Sequence, residues 1–368
     1  MTTAVLEMEP FTKSLEEGYS LPSSWYTDPA IFELERQKIF RRNWLYFGHA
    51  DEIKEPGTYK AATVGTFPVL VTRTASGELK AFMNICRHRL HKVVEEGSGA
   101  DLVLRCRYHG WSYDLEGNLK GLPRSSEIFG GDGKDFDRSE FGLLPVRLEM
   151  WGPLIFVNLD LDAAPLAESV GILASIADER GVNFATHPYT VDERIVPVNW
   201  KVYIDNVIEC YHCPTVHQAF SEVYDTASKS AKLICKAGRF SLGVPRRGKE
   251  YRPDDPKTPD YEFHAYFMPP TFWLSAREKE WLFLLIVEPV DVGHIRLISQ
   301  FCFPEGMAEE EIARLLAGAS EVNDEDIEVA VSVQRGHQVG NLPQGYLMPH
   351  SENQLREFAN FVYRGLNA

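Results

Sequence analysis

Two short arms, Cys86-Arg87-His88 and Cys106-Arg107-Tyr108-His109, carry four residues of metal-ligand type, with 17 residues between His88 and Cys106. Each arm offers one thiolate and one imidazole. Zinc modules usually repeat a ligand type within an arm, Cys with Cys or His with His, because each arm is a tight turn repeated in kind. The mixed set also suits a [2Fe–2S] cluster in which both thiolates bind one iron and both imidazoles bind the other. Replacing two anionic thiolates by neutral imidazoles raises the potential to about −150 to +300 mV, against about −400 mV for plant-type clusters. Such a cluster can supply electrons to an oxygen-activating site. Both arms follow strand-like runs, and Gly110-Trp111 adds a tight turn and a large ring to cover the site.

A second constellation lies in Asp205-Asn206-Val207-Ile208-Glu209-Cys210-Tyr211-His212-Cys213-Pro214-Thr215-Val216-His217. On an ideal helix two residues five apart point about 140° away from each other. His212 and His217 therefore converge only if the helix is distorted, and Pro214 is the expected break. Glu209, three before His212, puts a carboxylate on the same face. Two imidazoles and one carboxylate make the facial triad of non-haem Fe(II) oxygenases, with positions left open for dioxygen. The third ligand is sought in the acidic run Asp324-Glu325-Asp326, and the physics of the sequence does not select among its members. Cys210 and Cys213 also form a C-x-x-C, for which a thioredoxin or zinc role is the competing reading; buried, unbridged cysteines are expected.

These groups need a scaffold, and 368 residues, 44% hydrophobic and 25% charged, are enough for two or three globular domains. The net charge of −15 disfavours nucleic acid and anionic lipid surfaces as partners. The longest apolar run, Trp281 to Val287, is far short of the roughly 20 residues that span a bilayer. Met1 to Pro10 lack the marks of a secretory signal, so a cytoplasmic location is expected, with the six cysteines reduced. Residues 1–24 read as a loose arm. Asp28-Pro29 then opens a helix running to about Trp44. Short runs of β-formers from Gly57 to Val157 predict a small all-β domain. Residues 161–182 read as helical, Tyr189–Val198 as a strand, and Asn199 to Phe220 as a helical stretch. Arg246 to Asp260 reads as an exposed loop. Strands are expected at Tyr261–Met268, Thr271–Ser275, Trp281–Val287 and His294–Phe303, with a hairpin turn at Ala276–Glu280. Helices are expected at Ala308–Ser320 and Asp324–Gln334. The class is α+β, a β domain set within a domain whose antiparallel sheet is packed by helices.

The chain resembles the catalytic α subunits of the Rieske non-haem iron oxygenases. The resemblance is carried by Cys86-Arg87-His88-Arg89 and Cys106-Arg107-Tyr108-His109-Gly110-Trp111, and runs from about Tyr26 through Gln334. Leu90 and Arg107 depart from the commoner Gly and Pro. The resemblance implies an N-terminal arm and helix at 1–44, a Rieske [2Fe–2S] domain at 45–158 and a mononuclear-iron domain of helix-grip fold, with a twisted antiparallel sheet, at 159–368. It implies Cys86, His88, Cys106 and His109 as cluster ligands, and His212, His217 and Asp326 as ligands of one Fe(II). Among other acids, Asp324 is second to Asp326 and Glu328 third. No Gly-rich dinucleotide fingerprint is present, so NAD(P)H acts only through a separate flavin or iron–sulfur reductase, or a ferredoxin. In the family's ring-shaped trimer a carboxylate links one subunit's cluster to its neighbour's iron, here His109 through Glu209 to His212.

Aromatic-ring dioxygenases of this family usually carry Asp at the bridging position. Glu209 followed by Cys-Tyr-His instead resembles the branch that oxidises quaternary ammonium compounds such as carnitine, glycine betaine and stachydrine. Tyr203, Tyr211, Phe267, Phe272, Trp273 and Trp281 are candidates for a cage around a methylated ammonium. The expected activity is hydroxylation or N-demethylation of a small quaternary ammonium or methylamine compound with dioxygen. Hydroxylation of an aromatic acid or amine is the alternative, and an electron carrier without catalytic iron is the alternative of another class.

Overall fold

The computed structural model describes residues 14–124, 127, 136–226, 232–236, 239–245, 263–277, 281–340 and 342–367. The expected loop from Arg246 to Asp260, the N-terminal stretch Met1 to Pro10 and the last three residues of the turn Ala276–Glu280 lie outside them. The chain divides into two compact units, one made of residues 41–166 and the other of residues 1–40 and 167–368.

The unit of residues 41–166 is β-rich. Its strands are β1 (Leu45–His49), β2 (Thr58–Val64), β3 (Phe67–Arg73), β4 (Leu79–Met83), β5 (Gly97–Ala100), β6 (Leu104–Arg105), β7 (Ser112–Tyr113), β8 (Leu119–Gly121), β9 (Pro145–Trp151) and β10 (Leu154–Asn158). One sheet runs β1-β10-β9-β4-β3-β2-β5, and β6-β7-β8 form a second. Leu70, Phe82, Leu104, Tyr113 and Leu119 pack together with the two cysteines of the arms. The arms are thus rooted in apolar core.

The other unit is built on a sheet in the order β11-β17-β16-β15-β14-β13-β12. Its strands are β11 (His187–Val196), β12 (Lys232–Lys236), β13 (Arg239–Val244), β14 (Phe263–Met268), β15 (Phe272–Arg277), β16 (Trp281–Asp291) and β17 (His294–Phe303). The pairs from β11–β17 through β12–β13 are antiparallel. The helices used below are α1 (Pro29–Glu35), α2 (Ile172–Glu179), α3 (Trp200–Val207), α4 (Cys213–Val216), α5 (Gln218–Val223), α6 (Glu309–Gln338) and α7 (Asn353–Asn367).

Several expectations are corrected. The described part of the arm is not loose, because Leu15 and Leu21 are buried and Tyr19 bridges to Tyr346. The first helix stops at Phe40 after a π-helical turn, Arg36–Phe40. The helical region 161–182 is interrupted at Gly171, which holds φ +53 just before α2. The two helices expected near the C-terminus are one, α6, of 30 residues. No proline or glycine pair interrupts it, and Asn323-Asp324 lie inside a continuous backbone ladder. Helix α7 and strands β12 and β13 were not foreseen. The amphipathic α7 buries Leu355, Phe358, Val362 and Leu366.

Placement of α3 depends on polar contacts buried in this unit. Asn199 caps it by accepting from the Lys201 N–H at 3.0 Å, while its own N–H donates to Gln334 of α6 at 2.8 Å. Glu35 of α1 accepts from Lys201 Nζ at 2.6 Å and Trp200 Nε1 at 2.7 Å, and both members of the ion pair are fully buried. Burial pushes the Glu35 carboxyl up and the Lys201 ammonium down, each against the pull of its partner. Asp205, half-buried and accepting from Tyr26 Oη at 2.8 Å, is pushed up to about 7 by the loss of solvation.

Lys201→Met leaves the Glu35 carboxylate buried without its counter-charge, and is expected to cost about 3–5 kcal/mol in urea denaturation followed by circular dichroism. Adding Glu35→Gln, which still accepts from Trp200, is expected to recover most of that loss.

Candidate active site

The two cysteine arms fold alike. The Leu90 N–H returns to the Cys86 carbonyl at 3.0 Å and the Gly110 N–H to the Cys106 carbonyl at 2.9 Å. Each cysteine N–H then donates five residues on, Cys86 to His91 at 2.8 Å and Cys106 to Trp111 at 2.9 Å. Both turns need a left-handed residue, and Gly110 at φ +75 meets this at no steric cost. In the first arm Leu90 holds φ +58 with its side chain exposed. Leucine at that angle is strained by roughly 1–2 kcal/mol relative to glycine. Buried Asn84 braces the same arm, accepting from the N–H groups of Val93 and Val94 at 3.1 Å.

Cys86 and Cys106 are buried while His88 and His109 are exposed. The imidazole rings lie 4.5 Å apart, and Trp111 stacks on His88 at 4.9 Å, the covering ring expected from Gly110-Trp111. Two sulfurs inside and two imidazoles outside fit a cluster bound by thiolates at one iron and imidazoles at the other. Tyr113 was missed in the sequence. Its hydroxyl accepts from the Arg87 N–H at 3.0 Å, which leaves its own hydrogen free for Cys86 Sγ at 3.4 Å.

In the other unit, α3 ends at Val207, and the chain passes through Glu209 to His212 before α4 begins. Pro214 occupies the first turn of α4, so it opens a new helix and does not break an old one. The break that matters falls at His217, between α4 and α5, where φ −101 and ψ 73 swing its ring back toward His212. The two Nε2 atoms lie 3.1 Å apart.

Asp326 meets both. Its Oδ1 lies 3.1 Å from His217 Nε2 and 3.4 Å from His212 Nε2, and accepts from Asn206 Nδ2 at 2.5 Å. Among the described residues these three, His212, His217 and Asp326, are the group of donor side chains whose atoms lie within 4.8 Å of one another. A two-histidine, one-carboxylate set suits a mononuclear Fe(II). Glu209 bonds to the N–H groups of Tyr211 and His212 and to His212 Nδ1. Glu325 reaches His217 Nδ1 at 2.7 Å. Burial opposes charge on His212, but hydrogen bonds to Asp326 and Glu209 outweigh it and push the imidazole up to about 9. Burial likewise opposes charge on Asp326, yet the two imidazoles hold its carboxyl below the usual range. An ion taking up these nitrogens replaces the proton.

The remaining acids go elsewhere. Asp324 is exposed and paired with Arg194, and Glu328 is exposed. Cys210 and Cys213 are joined in a disulfide, which corrects the expectation of unbridged cysteines. Their Cα atoms stand 5.0 Å apart because the linker after α3 folds back on the first turn of α4, a local geometry that composition does not report.

A cavity of about 450 Å³ opens beside this site. Its aromatic wall is Phe220, Tyr224, Phe263, Trp273, Trp281 and Phe283. Of the six rings proposed for a cage, Trp273 and Trp281 alone line it among the described residues. Tyr211 is exposed, and Phe267 packs on Phe240 and Phe358 in the core. Tyr203 and Phe272 are fully buried.

Residues 179–367 match the model of the ring-hydroxylating alpha subunit catalytic domain, and residues 43–132 that of the Rieske [2Fe–2S] domain. The chain belongs to the ring-hydroxylating alpha subunit family. This alpha subunit is the oxygenase component of a Rieske non-haem iron mono- or dioxygenase, with one [2Fe–2S] cluster and one mononuclear iron as its cofactors. It is 30% identical to the chloroplastic choline monooxygenase of Beta vulgaris over 91% of this chain and 74% of that protein. It is 27% identical to the carnitine monooxygenase oxygenase subunit of Escherichia coli (strain K12), over 93% of this chain and 91% of that one. A solved quaternary ammonium Rieske monooxygenase, described for carnitine oxidation and inter-subunit electron transfer, superposes with a TM-score of 0.83 at 23% identity. It covers 96% of this chain and 97% of its own, and establishes the fold.

A hydrogen bond donated to a cluster sulfur favours the more negative, reduced state. Tyr113→Phe is therefore expected to lower the cluster potential, by roughly 40 mV if the bond is worth about 1 kcal/mol. Redox titration followed by the visible absorbance of the cluster measures it.

Proposed function

We propose that this alpha subunit oxidises a small quaternary ammonium or methylamine compound at a C–N methyl or the carbon beside it. The observation that carries the reading is the cavity itself. Glu209, Glu325 and Asp326 line it together with the aromatic surface around Trp273 and Trp281. Carboxylates draw a cation in, and ring faces hold a methylated ammonium that cannot donate hydrogen bonds. The choline and carnitine monooxygenases among its relatives support the same substrate class.

We assign Cys86, His88, Cys106 and His109 to the cluster, and His212, His217 and Asp326 to the iron. When bound, the cluster passes single electrons and the mononuclear iron activates dioxygen for oxygen insertion. The chain's own residues set the geometry. Glu209 holds Nδ1 of His212 so that Nε2 faces Asp326. Asn206 fixes the other side of that carboxylate. The aromatic wall excludes water and turns the methyl groups toward the histidines.

The electrons are supplied by a separate flavin or iron–sulfur reductase, or a ferredoxin, and the working form is a cytoplasmic homotrimer. In it Glu209 links His109 of one subunit to His212 of the next. The chain boundaries of the working parts are 1–44, 45–158 and 159–368. One other reading has an observation in its favour. Arg314, at the rim of the cavity, is the one Lys or Arg lining it among the described residues, and a cation there suits an aromatic acid.

A substrate screen with a surrogate reductase, following oxygen uptake and formaldehyde together, tests the reading. Formaldehyde from a methylammonium compound is the expected result, and a hydroxylated arene without it would overturn the substrate class. Metal analysis is expected to give about three irons per chain. Asp326→Ala is expected to reduce this to two, with the cluster absorbance intact and oxygen insertion lost.

A further inference from the structure

We infer that Glu325 is a positioning residue of the iron site, holding His217 in the tautomer and orientation that ligation needs. The inference rests on the reading of His212, His217 and Asp326 as the iron ligands. An imidazole binds a metal through one nitrogen and must place the hydrogen of the other. Both histidines here solve that problem with a carboxylate on Nδ1. His212 uses Glu209 from its own segment, and His217 uses Glu325, 2.7 Å away on α6. Both Nε2 atoms are thereby left facing Asp326.

The placement follows from helical geometry. Neighbours on a helix point about 100° apart, and Glu325 and Asp326 accordingly approach the ring of His217 from different sides. Asp326, buried, points at Nε2 of His217, while Glu325, half-buried at the cavity wall, bends to Nδ1 of the same ring. One turn of α6 thus grips His217 at both nitrogens. Glu325 is not a fourth ligand, because its carboxylate meets the ring edge opposite the three converging donor atoms. The chemistry of its contact also separates it from Asp324, which is spent on Arg194.

The test measures Fe(II) affinity of the mononuclear site in the full chain with its cluster in place, by competition with a chelator. Loss of such an outer carboxylate usually weakens a metal site by roughly 10–100-fold. Glu325→Ala is expected to show that loss. Glu325→Gln, whose carbonyl still accepts from Nδ1, is expected to recover part of it. Cluster absorbance, cluster iron and the unfolding midpoint of protein stripped of the mononuclear iron are expected to stay at wild-type values in both. Wild-type Fe(II) affinity in Glu325→Ala would overturn the inference, as would a weakened site accompanied by a lowered unfolding midpoint. Asp326→Ala serves as the reference. If it too keeps the third iron, the ligand assignment itself fails and the role of Glu325 falls with it; if it alone loses the iron, the assignment stands and only Glu325 is excluded.

Discussion

Two imidazoles five residues apart must meet a carboxylate supplied by a helix more than a hundred residues later, and this convergence governs the catalytic unit. No local propensity achieves it. The chain ends α3 at Val207, starts α4 at Cys213 and turns again at His217, so three short pieces replace one helix and both rings face the same way. Bonds from Asn199 to Gln334 and from Asn206 to Asp326 then join the α3 segment to α6 at two points. Behind them the Glu35–Lys201 pair and the Tyr26–Asp205 bond fill the interior with satisfied polar groups. Each would be costly if left alone, and together they hold α3 in one register.

The electrostatics of the two units differ in kind. In the β-rich unit the thiols lie in apolar core and the imidazoles reach solvent, so the arms turn their rings outward. In the other unit carboxylates crowd around the histidines, and the imidazoles are driven toward the charged state. Both arrangements use the same residue, histidine, and the neighbours decide its role. A metal at the second site competes with protons, whereas among the described residues no acid stands beside the imidazoles of the first site as Glu209 and Glu325 do at the second.

Much of this was legible in the sequence, for identifiable reasons. The cysteine arms are local, and a Cys-x-His turn after a strand specifies its own geometry. The long strands β14 to β17 declare themselves by sustained runs of β-branched and aromatic residues. His212 and His217 were nameable because histidine is rare in the chain and their spacing is short, and Glu209 because it stands three residues before His212. What failed was long-range or conformational. Glu325 could not be told from Asp324 without knowing which face of α6 is turned inward, and the break expected between Ser320 and Asp324 is absent because α6 runs unbroken from Glu309 to Gln338. Tyr113 looked like any strand tyrosine. The cage residues were chosen by type, and Phe267 went to the core because its partner across the sheet is Phe240.

Helix α6 does two jobs at once. Leu315, Ala319 and Val322 form one side of the cavity, and Glu325 and Asp326, on the same rod, meet the histidines. Bulk added or removed along that rod to suit a different guest would also shift the carboxylates that meet the histidines. Redesign of guest selectivity is therefore better directed at the opposite wall, where Phe263, Trp273 and Phe283 stand on strands that carry neither the two histidines nor Asp326.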